Sequence, residues 1–180
     1  FAQTLGGGKG ENVTIFDLEY SWNRSHEDLS KAGAPGVAVT NGTACDPFAG
    51  QAGATDHGTA VLGELAGDAN GFGVTGLATG ATIRTVNTAS LNANGSCAVN
   101  VANAIYAAAD RAAPGDVILI EQQAFGPNYK GDANGFGYVP VEWEQTGAVW
   151  GAIRNATDRG LIVIEPAANL GDLSGTVLAT

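Results

Sequence analysis

DVILIE, residues 116–121, is a near-continuous apolar run closed by an acid, and LIVIE, residues 161–165, repeats the pattern. Short runs with β-branched residues and no alternation read as strands buried on both faces. Between them, residues 141–159 carry a helical pattern that ends at Gly160, a residue suited to a helix C-terminal stop. Before them, residues 98–112 are Ala-rich, with apolar positions 101, 105 and 109 at helical spacing, and Pro114-Gly115 stops the helix. Further upstream, VTIFDL (13–18), VAVT (37–40) and TIRTVN (82–87) read as strands, and HGTAVLGELA (57–66) as a helix with apolar residues at 61, 62 and 65. Residues 126–139 read as a long turn-rich loop. Strands alternating with helices predict an α/β fold, a parallel sheet with helices on both faces. In such sheets the site lies beyond the carboxyl ends of the strands. Asp17, Glu121, Glu165 and Asn169 stand at or just after those ends and are candidates for one cleft.

The chain has 180 residues, which fits one domain or part of a larger one. Its apolar fraction of 44 % suffices for a core. Eight basic residues against eighteen acidic give a net charge of −10, which argues against nucleic-acid binding and against an anionic membrane surface. No apolar run nears the ~20 residues that span a bilayer. No basic, apolar-cored leader opens the chain at Phe1, so any targeting segment is expected to be gone already. There are two cysteines, Cys45 and Cys97, in no CxxC pair, so a Cys-rich zinc site is not expected. They form either one disulfide or two free thiols. The acidic composition, with lysine only at 9, 31 and 130, suggests a secreted, extracellular protein, where a disulfide would persist.

GDANGFG occurs twice, at 67–73 and 131–137. Two Asn-Gly turns of similar composition explain it. A calcium loop is the sharper alternative, but both copies lack the bidentate Glu of an EF-hand. Acceptors of the N-x-[ST] type stand at Asn12, Asn23, Asn41, Asn94 and Asn155.

The strongest chemical signal is Asp56-His57-Gly58-Thr59 at the start of an apolar helix. A histidine there is presented at an edge. Asp17, at the end of a strand, can accept the imidazole Nδ1–H, fixing its tautomer and stabilising the imidazolium. Asn169, in AANLG, can donate to a developing oxyanion, a contribution of roughly 3–4 kcal/mol when preorganised.

These residues sit in three blocks that resemble the subtilisin-like serine peptidases, the subtilase family. VTIFDL followed by His26-x-Asp28-Leu29 resembles the strand bearing the family's catalytic Asp. DHGTAVLGELAGDANGFGVTGLATGATI resembles its His block, with His57, Gly58, Thr59, Val61, Gly63, Gly73, Val74, Gly76, Ala78, Gly80 and Ala81 all fitting. DRGLIVIEPAANLG resembles the strand whose end carries the oxyanion Asn, and DVILIEQQAFGP the strand beside the P1 site. The resemblance implies a three-layer α/β/α sandwich with a mainly parallel sheet, and a serine endopeptidase acting on a polypeptide through an acyl-enzyme. By the resemblance Asp17 orients, His57 is general base and acid, and Asn169 helps bind the oxyanion. Glu121, Gln122, Gln123, Ala124, Glu165 and Ala167 fall at substrate-binding positions. No cofactor is required, and structural calcium is admitted.

The family's Ser, in a G-T-S-x-A segment, has no counterpart. The serines at 21, 25, 30, 90, 96 and 174 stand in other contexts. Residues 1–180 therefore read as an incomplete catalytic domain. The Ser belongs to a second chain or a C-terminal segment of the same enzyme; the alternative is an inactive subtilase-fold binding or scaffold module. Glu121 stands where the family usually has Ser, Glu165 where it has a small apolar residue, and Gln122-Gln123-Ala124 replace Leu-Gly-Gly. Two readings of the glutamates stay open: a hydrogen-bonded structural pair, or an acidic wall near P1 favouring basic or polar side chains. His26 reads as structural. Trp22, Trp143 and Trp150 read as packing, with Trp143 a candidate for the cleft rim.

Overall fold

The computed structural model describes residues 2–51, 54–126, 138–143 and 146–169. Most of the expected 126–139 loop, the second GDANGFG copy, Ser174 and the end of the AANLG motif lie outside the described residues. Five strands make one parallel sheet: β1 (Thr14–Glu19), β2 (Ala38–Val39), β3 (Thr82–Asn87), β6 (Val117–Ile120) and β9 (Ile162–Ile164), in the order β2-β3-β1-β6-β9. Two small antiparallel pairs flank it: β4 (Ala89–Leu91) with β5 (Cys97–Val99), and β7 (Gln123–Phe125) with β8 (Tyr138–Pro140). The helices are α1 (Ala54–Ala66), α2 (Val101–Ala109) and α3 (Ala148–Asp158).

Strand alternation divides the core. Phe16, Leu18, Val86, Ile118 and Ile120 pack on Ala104, Ile105 and Ala108 of α2 and on Val149, Ala152 and Ala156 of α3. Ile15 and Ile83 point the other way, onto Leu62 and Ala66 of α1 and onto Leu29 and Ala32, with half-buried Val117 and Leu119 beside them. The result is the expected α/β/α sandwich. Small residues on α2 and α3 let the helices and sheet approach closely. The Asn100 side chain accepts from Asn103 N at 3.0 Å and caps α2. Gly160, at φ 83°, ends α3 as its sequence implies.

The α1 face is covered unevenly. There Val117 and Leu119 of β6 are half-buried against the α1 cluster, but Ile162 and Ile164 of β9 are 51 % and 49 % exposed, whereas Ile118 and Ile120 on the α2/α3 face are fully buried. The expectation of strands buried on both faces holds for the α2/α3 side. On the other side α1 lies over β1 and β3, and among the described residues the β9 edge is left open.

Several boundaries differ from expectation. The expected helix over 98–112 begins only at Val101, because Cys97–Val99 pairs with Ala89–Leu91 in a hairpin. The turn is marked by Asn94-Gly95, with Gly95 at φ 80°. The expected helix over 141–159 is a short 3-10 turn, Val141–Trp143, and then α3 from Ala148. Helix α1 begins at Ala54, which puts His57 in its first turn. The two cysteines form a disulfide, Cys45–Cys97, with Cα atoms 5.9 Å apart. It ties the segment after β2 to the β4–β5 hairpin.

Candidate active site

His57 projects from the first turn of α1 at the carboxyl end of the sheet. Its Nδ1 lies 2.5 Å from Glu19 Oε1, at the last residue of β1. The Glu19 side chain is 2 % exposed and the imidazole 54 %, so the pair has a buried acid and an accessible ring. Thr88 N donates to the Glu19 carbonyl at 2.9 Å and fixes the strand end that presents the acid.

Asp17, expected to meet the imidazole, is bonded elsewhere. Trp22 Nε1–H donates to Asp17 Oδ2 at 2.7 Å. Asp17 is wholly buried, and its Oδ1 is without a hydrogen-bond partner. Trp22 therefore packs, as expected, but also carries a polar task that its sequence context did not reveal. The Glu19 contact was legible in principle. Asp17 and Glu19 share one strand face, so either could reach a helix laid across it.

Glu121, just beyond β6, adds negative charge to this corner. Burial first, then the Trp22 bond against it, then Glu19 and Glu121, leave Asp17 pushed up to about 8. Burial and Glu121 push Glu19 up to about 8 as well. Glu121 is itself raised, chiefly by burial, with His57 opposing and Glu64 of α1 adding to the rise. A cleft of about 520 Å³ opens beside these groups, lined by His57, Val61, Leu65, Leu77, Leu119 and Glu121 among others. A larger one, about 800 Å³, includes His26, Leu29, Thr59 and Val74 and shares Ala60, Glu64 and Leu77 with the first.

The two glutamates expected as a pair or a common wall are separated by register. Leu119 pairs with Ile164, which places Glu165 level with Ile120 and Glu121 one step beyond. Alternation then sends Glu121 to the α1 face and Glu165 to the α2/α3 face. Their neighbours agree. Glu165 Oε2 accepts from Glu142 N at 3.4 Å, and burial with the Glu142 charge raises it to about 7. The groups that act on Glu121 are His57 and Glu64.

Asn169 is exposed, and its backbone N–H donates to Gln123 Oε1 at 2.8 Å. This contact joins the end of β9 to β7, two of the expected substrate-side segments. Ala168, beside it, holds a left-handed φ of 73°, a conformation uncommon for a residue with a Cβ. Gln123 and Ala124 pair with Pro140 and Val139, so one edge of β7 is occupied. Gln122 is buried and its Nε2 lacks a partner. Glu165 is half-buried and Ala167 is exposed.

His26 Nδ1 accepts from Asp28 N at 3.2 Å, a local turn contact that fits its structural reading. Asp28 accepts from Asn70 Nδ2 at 2.7 Å and Val74 N at 2.8 Å, and Asp68 from Ser30 N and Oγ. A Cβ on Gly73, at φ 65°, would collide with the Asp28 carboxylate. The first GDANGFG copy is thus a turn held on Asp28. Its carboxylate, like that of Asp28, accepts from N–H and O–H donors. Among the described residues no three His, Cys, Asp or Glu side chains are grouped to hold a metal ion, and no helix is long and apolar enough to cross a membrane.

A cold-adapted subtilisin-like serine proteinase of solved structure has a similar fold, with a TM-score of 0.51 and 19 % sequence identity. The similarity covers 86 % of this chain and 46 % of that one, so this chain spans less than half of its neighbour's length. No curated protein matches the chain. The subtilase family (Peptidase_S8) model matches residues 8–176, nearly the whole sequence. With the parallel sheet, and with His57 on a buried acid at its carboxyl end, the chain belongs to the subtilase family.

Proposed function

We propose that this chain is the His-bearing part of a secreted serine endopeptidase that hydrolyses peptide bonds through an acyl-enzyme. The observation that carries the reading is the His57 Nδ1 contact with a buried carboxylate at the carboxyl end of the parallel sheet. An acid at Nδ1 holds the imidazole in the tautomer whose Nε2 can accept a proton from a nucleophile and later return it to the leaving amine. Asn169 is the proposed side-chain donor to the oxyanion. The peptide would lie along Gln122, Gln123 and Ala124, with Ala167 and Glu165 at the end of β9 and Glu121 nearer His57. The serine would come from a further segment or a second chain. Among the described residues, Ser21, Ser30 and Ser96 spend their hydroxyls on Asp46, Asp68 and Asn94. The open β9 edge, with half-exposed Ile162 and Ile164, supports a further layer of protein there. The disulfide supports an oxidising compartment. Calcium, if the whole enzyme uses it, would serve the scaffold, and no step runs through it.

The test is intact-mass spectrometry under denaturing conditions, before and after a fluorophosphonate serine probe. A co-purifying polypeptide that gains the probe mass, and stops gaining it in His57→Ala, supports the peptidase. A single chain that stays unlabelled favours the competing reading, an inactive binding module.

A further inference from the structure

We propose that Glu19, rather than Asp17, is the positioning residue for His57, and that Asp17 is committed to Trp22. The assignment rests on the peptidase reading and names the acid that serves its base.

The geometry of β1 against α1 carries it. Ile15, Asp17 and Glu19 share the strand face that meets α1. Ile15 clusters with Leu62 and Ala66, while Glu19 meets His57, so the helix runs antiparallel to the strand. Each two-residue step of strand covers roughly 6.7 Å, so the two carboxyl groups sit at different levels along the helix. Asp17 falls between the Leu62 level and the His57 level. Trp22 occupies that space. Its indole N–H bonds Asp17, and its ring lies so close to α1 that a Cβ on Gly58 would come within 3.0 Å of Cδ1. The indole therefore passes α1 at the residue next to His57 and fills the approach from Asp17. Glu19, one step further along and one methylene longer, reaches Nδ1 directly.

Electrostatics points the same way. Asp17 is wholly buried, with one oxygen unpartnered and Glu19 and Glu121 adding negative charge. A second ionised acid there would be costly, because buried charge needs full pairing. Glu19 has a cationic partner available whenever His57 takes up a proton.

The test uses the intact chain. His26 and His57 are its only histidines, so imidazole proton–nitrogen NMR assigns the signals. The His57 Nδ1–H resonance, downfield and protected, is expected to vanish in Glu19→Gln relative to wild type and to persist in Asp17→Asn. Trp22→Phe, which removes the donor to Asp17, also keeps it. If Glu19→Gln does not fold, Glu19→Asp supplies the reading: the shortened acid shifts the resonance while Asp17→Asn does not. In the unlabelled, serine-containing assembly, Glu19→Gln is expected to lower kcat 100-fold or more with KM within threefold, and to change the pH–rate profile. Loss of the resonance in Asp17→Asn and its survival in Glu19→Gln overturns the assignment, whatever the probe shows. An assembly never labelled by fluorophosphonate overturns the peptidase reading, and the NMR result then judges the pairing alone.

Discussion

The two faces of the sheet are built from the same strands and behave differently. The α2/α3 face is closed by Ala-rich helices over Phe16, Leu18, Ile118 and Ile120, and its acid, Glu165, stands past the end of β9 beside Glu142. The α1 face begins the same way, with Ile15 and Ile83 on Leu62, and then changes character toward the carboxyl end. There Asp17, Glu19 and Glu121 replace apolar residues on the same pleat, and Trp22 and His57 complete the layer. One face spends its burial on stability. The other gives part of it up to hold acids out of water beside an accessible imidazole. The lesson is that a two-residue period can run a core and an active site along one strand, with the helix position deciding where one becomes the other.

The largest effect should come from challenging that division directly. Ile118→Ala, on the closed face, is expected to cost about 2–5 kcal/mol. Ile164→Ala, half-exposed on the open face, should stay below about 1 kcal/mol, as surface positions usually do. Urea unfolding of both variants measures the contrast; equal losses would mean that the open edge is covered in solution.

Next in size is the disulfide, which pins the segment before α1 to the β4–β5 hairpin. Replacing Cys45 and Cys97 by Ser is expected to cost about 2–4 kcal/mol, given the 52-residue separation. If thermal melting shows no loss, the site end of the sheet is held by packing alone.

The most specific effect is the pH dependence of stability. Asp17 moves from 3.8 up to about 8 on folding, and Glu19 from 4.5 to about 8. For an acid raised in the folded state, the stabilising contribution is complete below its unfolded value and is lost as pH rises through the folded one. The melting temperature should therefore fall between about pH 4 and pH 8. The groups facing Asp17 are Glu19 on its own strand, Glu121 from β6, His57 from α1 and the Trp22 indole. Asp17→Asn removes its ionisation and should flatten the fall, leaving the variant relatively more stable at pH 9 than at pH 5. A melting profile as steep as wild type would mean that Asp17 ionises in the fold without strain.

Much of this was legible beforehand. The strand TIRTVN appears where its alternation put it, and VTIFDL and LIVIE are off by a residue at their ends. Gly160 ends α3. His57 was visible because HGT opens an apolar helix. The hairpins were missed because their strands are three residues each, too short to show a period, although Asn94-Gly95 carried a turn signal. Trp22 was read as packing because an indole's hydrogen bond depends on what the fold brings to it.

The sequence by itself determined the alternation of strands and helices, the apolar strands, the helix that presents His57 and the family to which these belong. Those features are local, written in periods of two and of about 3.6 residues, in stop residues and in motif spacing. Only the tertiary structure decided which acid the imidazole meets, that Glu121 and Glu165 point to opposite faces, and that Cys45 reaches Cys97. Each of these depends on register and on the placement of one element across another. A shift of one residue would send the same side chain to the other side of the sheet.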